Sequence, residues 1–187
     1  GTITMKSGVL NEDNPPAFNI LECAADGMTT TIATPISTYY LHLGGGTLTE
    51  NEPHIVAIFG EDDVLVYDGA TLDFSGIVFI PWEEGWSQNI PGGDYSGLTL
   101  LYFYARDGRG GDSHFYLQGD IEAGYIQIAA VNGRDTDTNF AVLHTNDHDM
   151  TITNGLMVGV TEYAYGRLDC GASTISVGDV VIYESSG

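Results

Sequence analysis

Acidic side chains cluster in segments rich in glycine and asparagine, and their spacing could bind a hard cation. Calcium takes six to eight oxygen ligands, which carboxylates at alternate positions of a loop can supply. The candidate ligands are Asp62, Asp63, Asp107, Asp112, Asp135, Asp137, Asn139, Asp147 and Asp149. The pattern is not an EF-hand, because Phe140 stands where that loop needs glycine. We predict bound Ca²⁺ at one or more clusters; the alternative is that each cluster is a solvated turn.

Three aromatic residues occupy a long connector between predicted strands, at residues 82–96. Trp82, Trp86 and Tyr95 stand beside carboxylates in this segment. Aromatic rings can stack on the apolar faces of sugars while carboxylates accept hydrogen bonds from sugar hydroxyls. The segment therefore predicts a glycan-binding loop, with a lid over one end of the domain or a subunit contact as the alternatives.

Two histidines, His144 and His148, lie near Asp147 and Asp149 and raise the question of a zinc site. A four-residue spacing places two ligands on one face only in a helix, and this segment is predicted to be strand and turn. We therefore interpret both as surface or half-buried side chains. The chain also lacks nucleophile-elbow, zinc-protease and phosphate-binding glycine motifs. No enzymatic activity is predicted.

The charge of the chain restricts its partners. The 187 residues include 26 Asp and Glu against 5 Lys and Arg, for a net charge of −21. A phosphate backbone or an anionic membrane surface needs a basic footprint, so nucleic acid and membrane partners are not expected. Membrane insertion is not expected either, because no run of 18 apolar residues occurs. Self-repulsion of this size indicates a protein that folds and associates with salt or divalent cations around it.

Short strands are the elements that must position these groups. Residues 98–105 and 125–131 are apolar on both alternating faces, which predicts central strands that are covered on both sides. Residues 114–118 alternate as a half-covered strand does. No segment has helical spacing, and turn signals recur between the strands. The pattern predicts an all-β, antiparallel β-sandwich or jelly-roll-like fold with little or no helix. The sequence shows no repeat of fixed period, which argues against a solenoid.

The predicted domain organisation is an N-terminal arm and hinge at residues 1–16, followed by one domain at 17–187. The arm alternates Ile3, Met5 and Val9 with polar residues, and the hinge contains Pro15 and Pro16. An apolar-striped strand behind a hinge can dock on its own sheet or complete the sheet of a neighbouring copy.

The two cysteines, Cys23 and Cys170, could form a disulfide that closes a very long loop. The alternative is two separate thiols that pack as small apolar groups. The sequence leaves both open, because it does not supply the Cα separation.

These features together predict a non-catalytic structural subunit, extracellular or on a virion surface, that assembles with copies of itself through β-strand contacts. This prediction rests on the N-terminal arm, the edge strands and the acidic clusters that calcium could bridge between copies. The alternative function is a carbohydrate-binding module or lectin-like adhesin that uses the aromatic loop at 82–96. The acidic charge belongs to the whole chain whereas the aromatic loop is one segment, so we favour the structural subunit.

Overall fold

The chain winds into a parallel β-solenoid, in which each coil stacks on the one before it. The computed structural model describes residues 4–5, 18–23, 26–33, 35–81, 87–105, 111–131, 139–159 and 164–182. Within these ranges the structure contains strands and turns and no helix, and therefore no helix able to span a membrane. The all-β part of the prediction is confirmed.

Three sheets run along the stack. The N-terminal sheet contains β1 (Thr4–Met5), β3 (Thr29–Ile32), β5 (Thr47–Glu50) and the start of β8 (Thr71–Phe79). The long sheet contains β2 (Phe18–Cys23), β4 (Ile36–Leu43), β6 (Ile55–Ile58), β7 (Leu65–Tyr67), the rest of β8, β10 (Gly93–Tyr95), β11 (Leu98–Ala105), β13 (Ile121–Val131), β15 (Met150–Val158) and β17 (Ile175–Ile182). The short sheet contains β9 (Ser87–Ile90), β12 (Ser113–Leu117), β14 (Ala141–His144) and β16 (Ala164–Asp169).

The prediction of an antiparallel sandwich or jelly roll is wrong. Between the described strands the pairing is parallel, except where Ala130 and Val131 at the end of β13 meet β16. Coil length also varies: Thr29 pairs with Thr47, 18 residues on, whereas Tyr125 pairs with Gly155, 30 residues on. This variation hides the repeat, so the argument against a solenoid fails. A strand in a solenoid wall and a strand in a sandwich each bury one face, so both show the same alternation of apolar and polar residues. The alternation therefore did not distinguish the two folds.

Columns of apolar side chains form the core, one residue from each coil. One column in the long sheet runs through Ile36, Val56, Ile77, Leu101, Ile126, Leu156 and Val180. A second runs through Ile58, Phe79, Phe103, Ile128, Val158 and Ile182. The members of each column are buried up to the last described strand, except Val158, which is partly buried. Burial of such columns drives folding, because one coil cannot cover its own apolar face.

Some predictions for individual strands are confirmed and others are wrong. The half-covered strand at residues 114–118 is confirmed, since β12 buries Phe115 and Leu117 and leaves His114 and Tyr116 half-buried. The strand at 98–105 is covered on one face only, because its outward residue Tyr102 stays half-buried. Thr4 and Met5 of the predicted arm pair in parallel with β3 of the same chain. Ile3, Val9 and the hinge lie outside the described residues.

Candidate functional site

Acidic residues in the corner turns hold one coil to the next. A carboxylate oxygen of Asp120 accepts from the backbone N–H of Asp149 at 2.9 Å, and Asp149 in turn accepts from Thr174 at 2.7 Å. Asp147 accepts from the N–H of Ala172 at 2.8 Å. Each of these bonds gives a backbone N–H of the next coil a side-chain acceptor. Two of the predicted calcium ligands, Asp147 and Asp149, therefore have a structural role here.

The other described candidates for calcium lie at separate corners. Asp112 accepts from the N–H of Phe140 at 2.9 Å, and Asn139 accepts from the N–H of Gly111 at 3.1 Å. Asp63 accepts from the side-chain amide of Asn89 at 2.9 Å, and Asp62 is in the left-handed backbone region with φ of 59°.

No three Asp, Glu, His or Cys side chains come together as a metal-binding group in the described part of the chain. Asp107, Asp135 and Asp137 lie outside it. Calcium binding therefore stays a prediction.

The predicted glycan platform is described only at Tyr95, since Trp82 and Trp86 lie outside the described residues. Tyr95 is fully buried: its hydroxyl donates to the carbonyl of Pro91 at 2.9 Å and its ring centroid lies 5.2 Å from that of Tyr67. Burial raises the pKa of Tyr95, as expected for a core phenol. Its ring is thus part of the core and is not open to a sugar.

An open polar cleft of about 400 Å³ lies outside that ring, between Tyr67, Thr71, Asp94 and Ser96. The hydroxyl oxygen of Tyr67 lies 2.7 Å from the backbone carbonyl of Ala70 and 2.9 Å from that of Asp94, and its single proton can be donated to either. Hydrogen bonds from Ser96 lower the pKa of the Asp94 carboxyl, so this group is anionic at neutral pH. The cleft could accept hydrogen bonds from a hydroxylated ligand, and glycan binding remains a prediction.

A row of polar and aromatic side chains lies on the outer face of the short sheet. We call it the imidazole row and define it as His114, Tyr116, His144, Arg167 and Asp169. Parallel pairing places Tyr116 beside His144, and His144 beside Asp169, on three successive coils. Outward positions alternate with buried ones such as Phe115 and Leu143, so the strands hold the row against a rigid core.

Hydrogen bonds and one ion-pair contact join the imidazole row into a chain. Arg167 binds both carboxylate oxygens of Asp169, with Nε at 2.8 Å and Nη2 at 3.1 Å. Asp169 Oδ2 lies 3.2 Å from His144 Nδ1, and His144 Nε2 lies 3.0 Å from His114 Nδ1. Because a carboxylate only accepts, the proton on His144 sits on Nδ1 in the neutral ring, and Nε2 presents a lone pair to His114.

Ring stacking and burial fix the central histidine. The ring of Tyr116 lies over that of His144 with centroids 4.5 Å apart and planes 11° apart. Burial lowers the pKa of His144 below its usual 6.5, and His114 and Arg167 lower it further, against the opposing attraction of Asp169. His144 is therefore a neutral imidazole at pH 7.

This shift predicts that acid destabilises the fold through His144. Because its folded-state pKa is lowered, the unfolded chain binds the proton first, and stability falls as the pH drops below 6.5 toward the folded-state value. We expect the chelator-treated His144→Gln variant to lose less stability between pH 7.5 and pH 5 than the wild type, measured by urea unfolding. His148→Gln is the control and should keep the wild-type dependence. Equal slopes for His144→Gln and wild type would contradict the prediction.

Both histidines that were considered for a zinc site are half-buried, as interpreted from the sequence. His148 lies 3.7 Å from Asp120, measured from Nδ1 to Oδ1, and not beside His144. His144 contacts His114, 30 residues earlier in the chain. The sequence signal that could have found the pair is weak: an outward histidine on each of two strands separated by one coil.

Cys170 is exposed and is a free cysteine. It follows β16, whereas Cys23 ends β2 in the first described coil of the long sheet. At about 4.8 Å per strand, several intervening strands place them far beyond the roughly 7 Å Cα separation that a disulfide spans.

Comparisons with protein-family models, curated proteins and solved structures gave no match for this chain. Its function is therefore argued from geometry alone.

Proposed function

We propose that this chain is a non-catalytic structural subunit that assembles head to tail with copies of itself by stacking solenoid on solenoid. The supporting observation is the last described strand, β17, where the columns of the long sheet reach the surface. Val180 is 51% exposed and Ile182 is 65% exposed, although both continue columns whose other members are buried or partly buried. Burying such residues contributes roughly 1.5–3 kcal/mol each.

The backbone of β17 supports the same proposal. Among the described pairings β17 pairs with β15 alone, which leaves its other edge unpaired within the described residues. An unpaired, apolar edge is a template for adding a strand from another chain. Parallel addition would continue the existing ladder without a change of direction.

The first described strand of the long sheet is a suitable partner for that edge. Phe18 of β2 pairs with Thr38, which pairs with Ile58, and Ile58 belongs to the column that ends at Ile182. A second copy stacked in the same orientation would therefore place the position of Phe18 next to Ile182. The two ends differ, so the contact is heterologous and repeats into a filament if it does not close into a ring.

Charge sets the conditions for this assembly. Copies with a net charge of −21 repel one another, and salt or divalent cations reduce that repulsion. An extracellular or virion-surface setting, as proposed from the sequence, would supply such ions. We therefore expect assembly to increase with ionic strength and with millimolar Ca²⁺.

The test compares sedimentation and electron microscopy of the full chain with and without Ca²⁺ for wild type and two matched variants. Val180→Asn combined with Ile182→Asn keeps the net charge and should leave a folded monomer. Val66→Asn changes a side-wall valine that is 46% exposed, and should assemble as the wild type does. Circular dichroism verifies that each variant is folded. A wild type that stays monomeric in salt and Ca²⁺, or a double variant that assembles normally, would refute the proposal.

A further inference from the structure

The imidazole row contains two facing ring nitrogens that can act together. His114 Nδ1 and His144 Nε2 lie 3.0 Å apart on β12 and β14, which are paired strands of the short sheet. We propose that these two nitrogens form a bidentate site for a divalent transition metal, with Cu²⁺ and Ni²⁺ preferred over Zn²⁺. The proposal is independent of assembly, and its site differs from the acidic corners considered for calcium.

Asp169 supplies the outer-shell group that such a site needs. Metal-binding histidines donate their second N–H to a carboxylate or carbonyl, which fixes the ring and raises its basicity. His144 Nδ1 faces Asp169 Oδ2 at 3.2 Å, and the guanidinium of Arg167 holds that carboxylate through both oxygens. The lone pair of His144 Nε2 is thereby directed away from Asp169 and toward His114.

The protons of the two rings can be arranged for binding without a net change of charge. In the metal-free pair, His114 Nδ1–H donates to His144 Nε2, because the latter presents its lone pair. Metal binding requires the other neutral tautomer of His114, with its proton on Nε2. Both facing nitrogens are then donors to the metal, and water fills the remaining positions.

The ligand type favours Cu²⁺. The two ring centroids lie 5.2 Å apart, so the facing nitrogens point at each other along the hydrogen bond, and the rings must turn relative to each other before one metal can bind both nitrogens. With metal–nitrogen bonds of about 2.0–2.1 Å, the two nitrogens would then take adjacent positions of a tetragonal Cu²⁺ or Ni²⁺. The Irving–Williams order places Cu²⁺ above Ni²⁺ and Zn²⁺ at a given site.

The experiment titrates the chelator-stripped full chain at pH 7.5 with Cu²⁺, Ni²⁺ and Zn²⁺ separately, by calorimetry and, for Cu²⁺, by electron paramagnetic resonance. We expect one Cu²⁺ per chain with nitrogen splitting from two imidazoles, and affinities in the order Cu²⁺, Ni²⁺, Zn²⁺. His144→Gln should lose the two-imidazole signal. Asp169→Asn should weaken Cu²⁺ binding about 10- to 100-fold while the signal keeps two nitrogens at saturation.

The matched control is His148→Gln, which removes a turn imidazole outside the row and should bind Cu²⁺ as the wild type does. Circular dichroism on each metal-free variant separates loss of ligand from loss of fold. Retention of the two-imidazole signal in folded His144→Gln would overturn the proposal. A wild-type signal with one imidazole or none would overturn it as well.

Discussion

Replacing Phe103 with alanine should cost about 3–5 kcal/mol of unfolding free energy, the usual range for removing a buried ring from a core. Phe103 is fully buried on β11 and links the two walls of the solenoid. Its ring stacks on Phe79 of β8 at 5.5 Å and 9°, and meets Phe115 of β12 at 5.2 Å and 57°. The cavity would therefore open between the long sheet and the short sheet, where the neighbouring coils cannot collapse to fill it.

The measurement for Phe103→Ala is chemical unfolding together with amide hydrogen exchange. Because a solenoid coil contacts only its neighbours, protection should fall first in β8, β11 and β12 and less in β17. Tyr125→Ala is the matched control: it removes an aromatic ring that is 41% exposed, and should cost about 1 kcal/mol or less. Equal losses of unfolding free energy for the two variants would contradict the prediction that burial of Phe103 stabilises the core.

The proposed metal site and the proposed assembly surface lie on different sheets. Its two histidines lie on β12 and β14 of the short sheet, whereas Arg167 and Asp169 lie on β16, the last described strand of that sheet; the exposed residues of β17 belong to the long sheet. A change in assembly therefore should not change Cu²⁺ binding, and His144→Gln should not prevent stacking. The two proposals can fail separately.

The sequence was sufficient to predict strands and their inward faces, but not how the strands stack. The alternation in β12 identified Phe115 and Leu117 as buried, because side chains on a strand point to opposite faces regardless of the partner. The same alternation does not show whether the neighbouring strand is parallel or antiparallel. The Asp68–Gly69 turn, with φ of 81° at Gly69, resembles the turn of a hairpin, which favoured the antiparallel prediction.

The imidazole row could not be predicted from the sequence, because it depends on how the strands stack. His114 and His144 meet only because β12 and β14 pair in a register that offsets residues by one coil. Coils that vary from 18 to 30 residues give no constant offset from which to infer such a pair. The acidic turns were visible in the sequence, but their role as acceptors for the next coil, as between Asp149 and Thr174, depends on the stacking.

Replacing Gly76 with alanine should destabilise the fold by about 3 kcal/mol or more, at the upper end for overpacking. Gly76 is buried within β8, where it pairs with Ile55 on β6 and with Leu100 on β11. An added Cβ would lie 2.3 Å from the carbonyl oxygen of Leu100, a backbone atom that cannot rotate away. The two coils would have to separate locally, which also weakens the hydrogen bonds of the ladder on that side.

A second glycine separates steric exclusion from backbone strain. Gly69→Ala adds the same methyl in a turn where nothing lies within 4 Å, but where φ is +81°. Its cost should be the left-handed penalty alone, about 1–2 kcal/mol. Thermal unfolding should therefore show a drop of about 6–12 °C or more for Gly76→Ala and clearly less for Gly69→Ala. A larger drop in melting temperature for Gly69→Ala than for Gly76→Ala would contradict the prediction. It would mean that the neighbouring coil does not exclude a side chain at position 76.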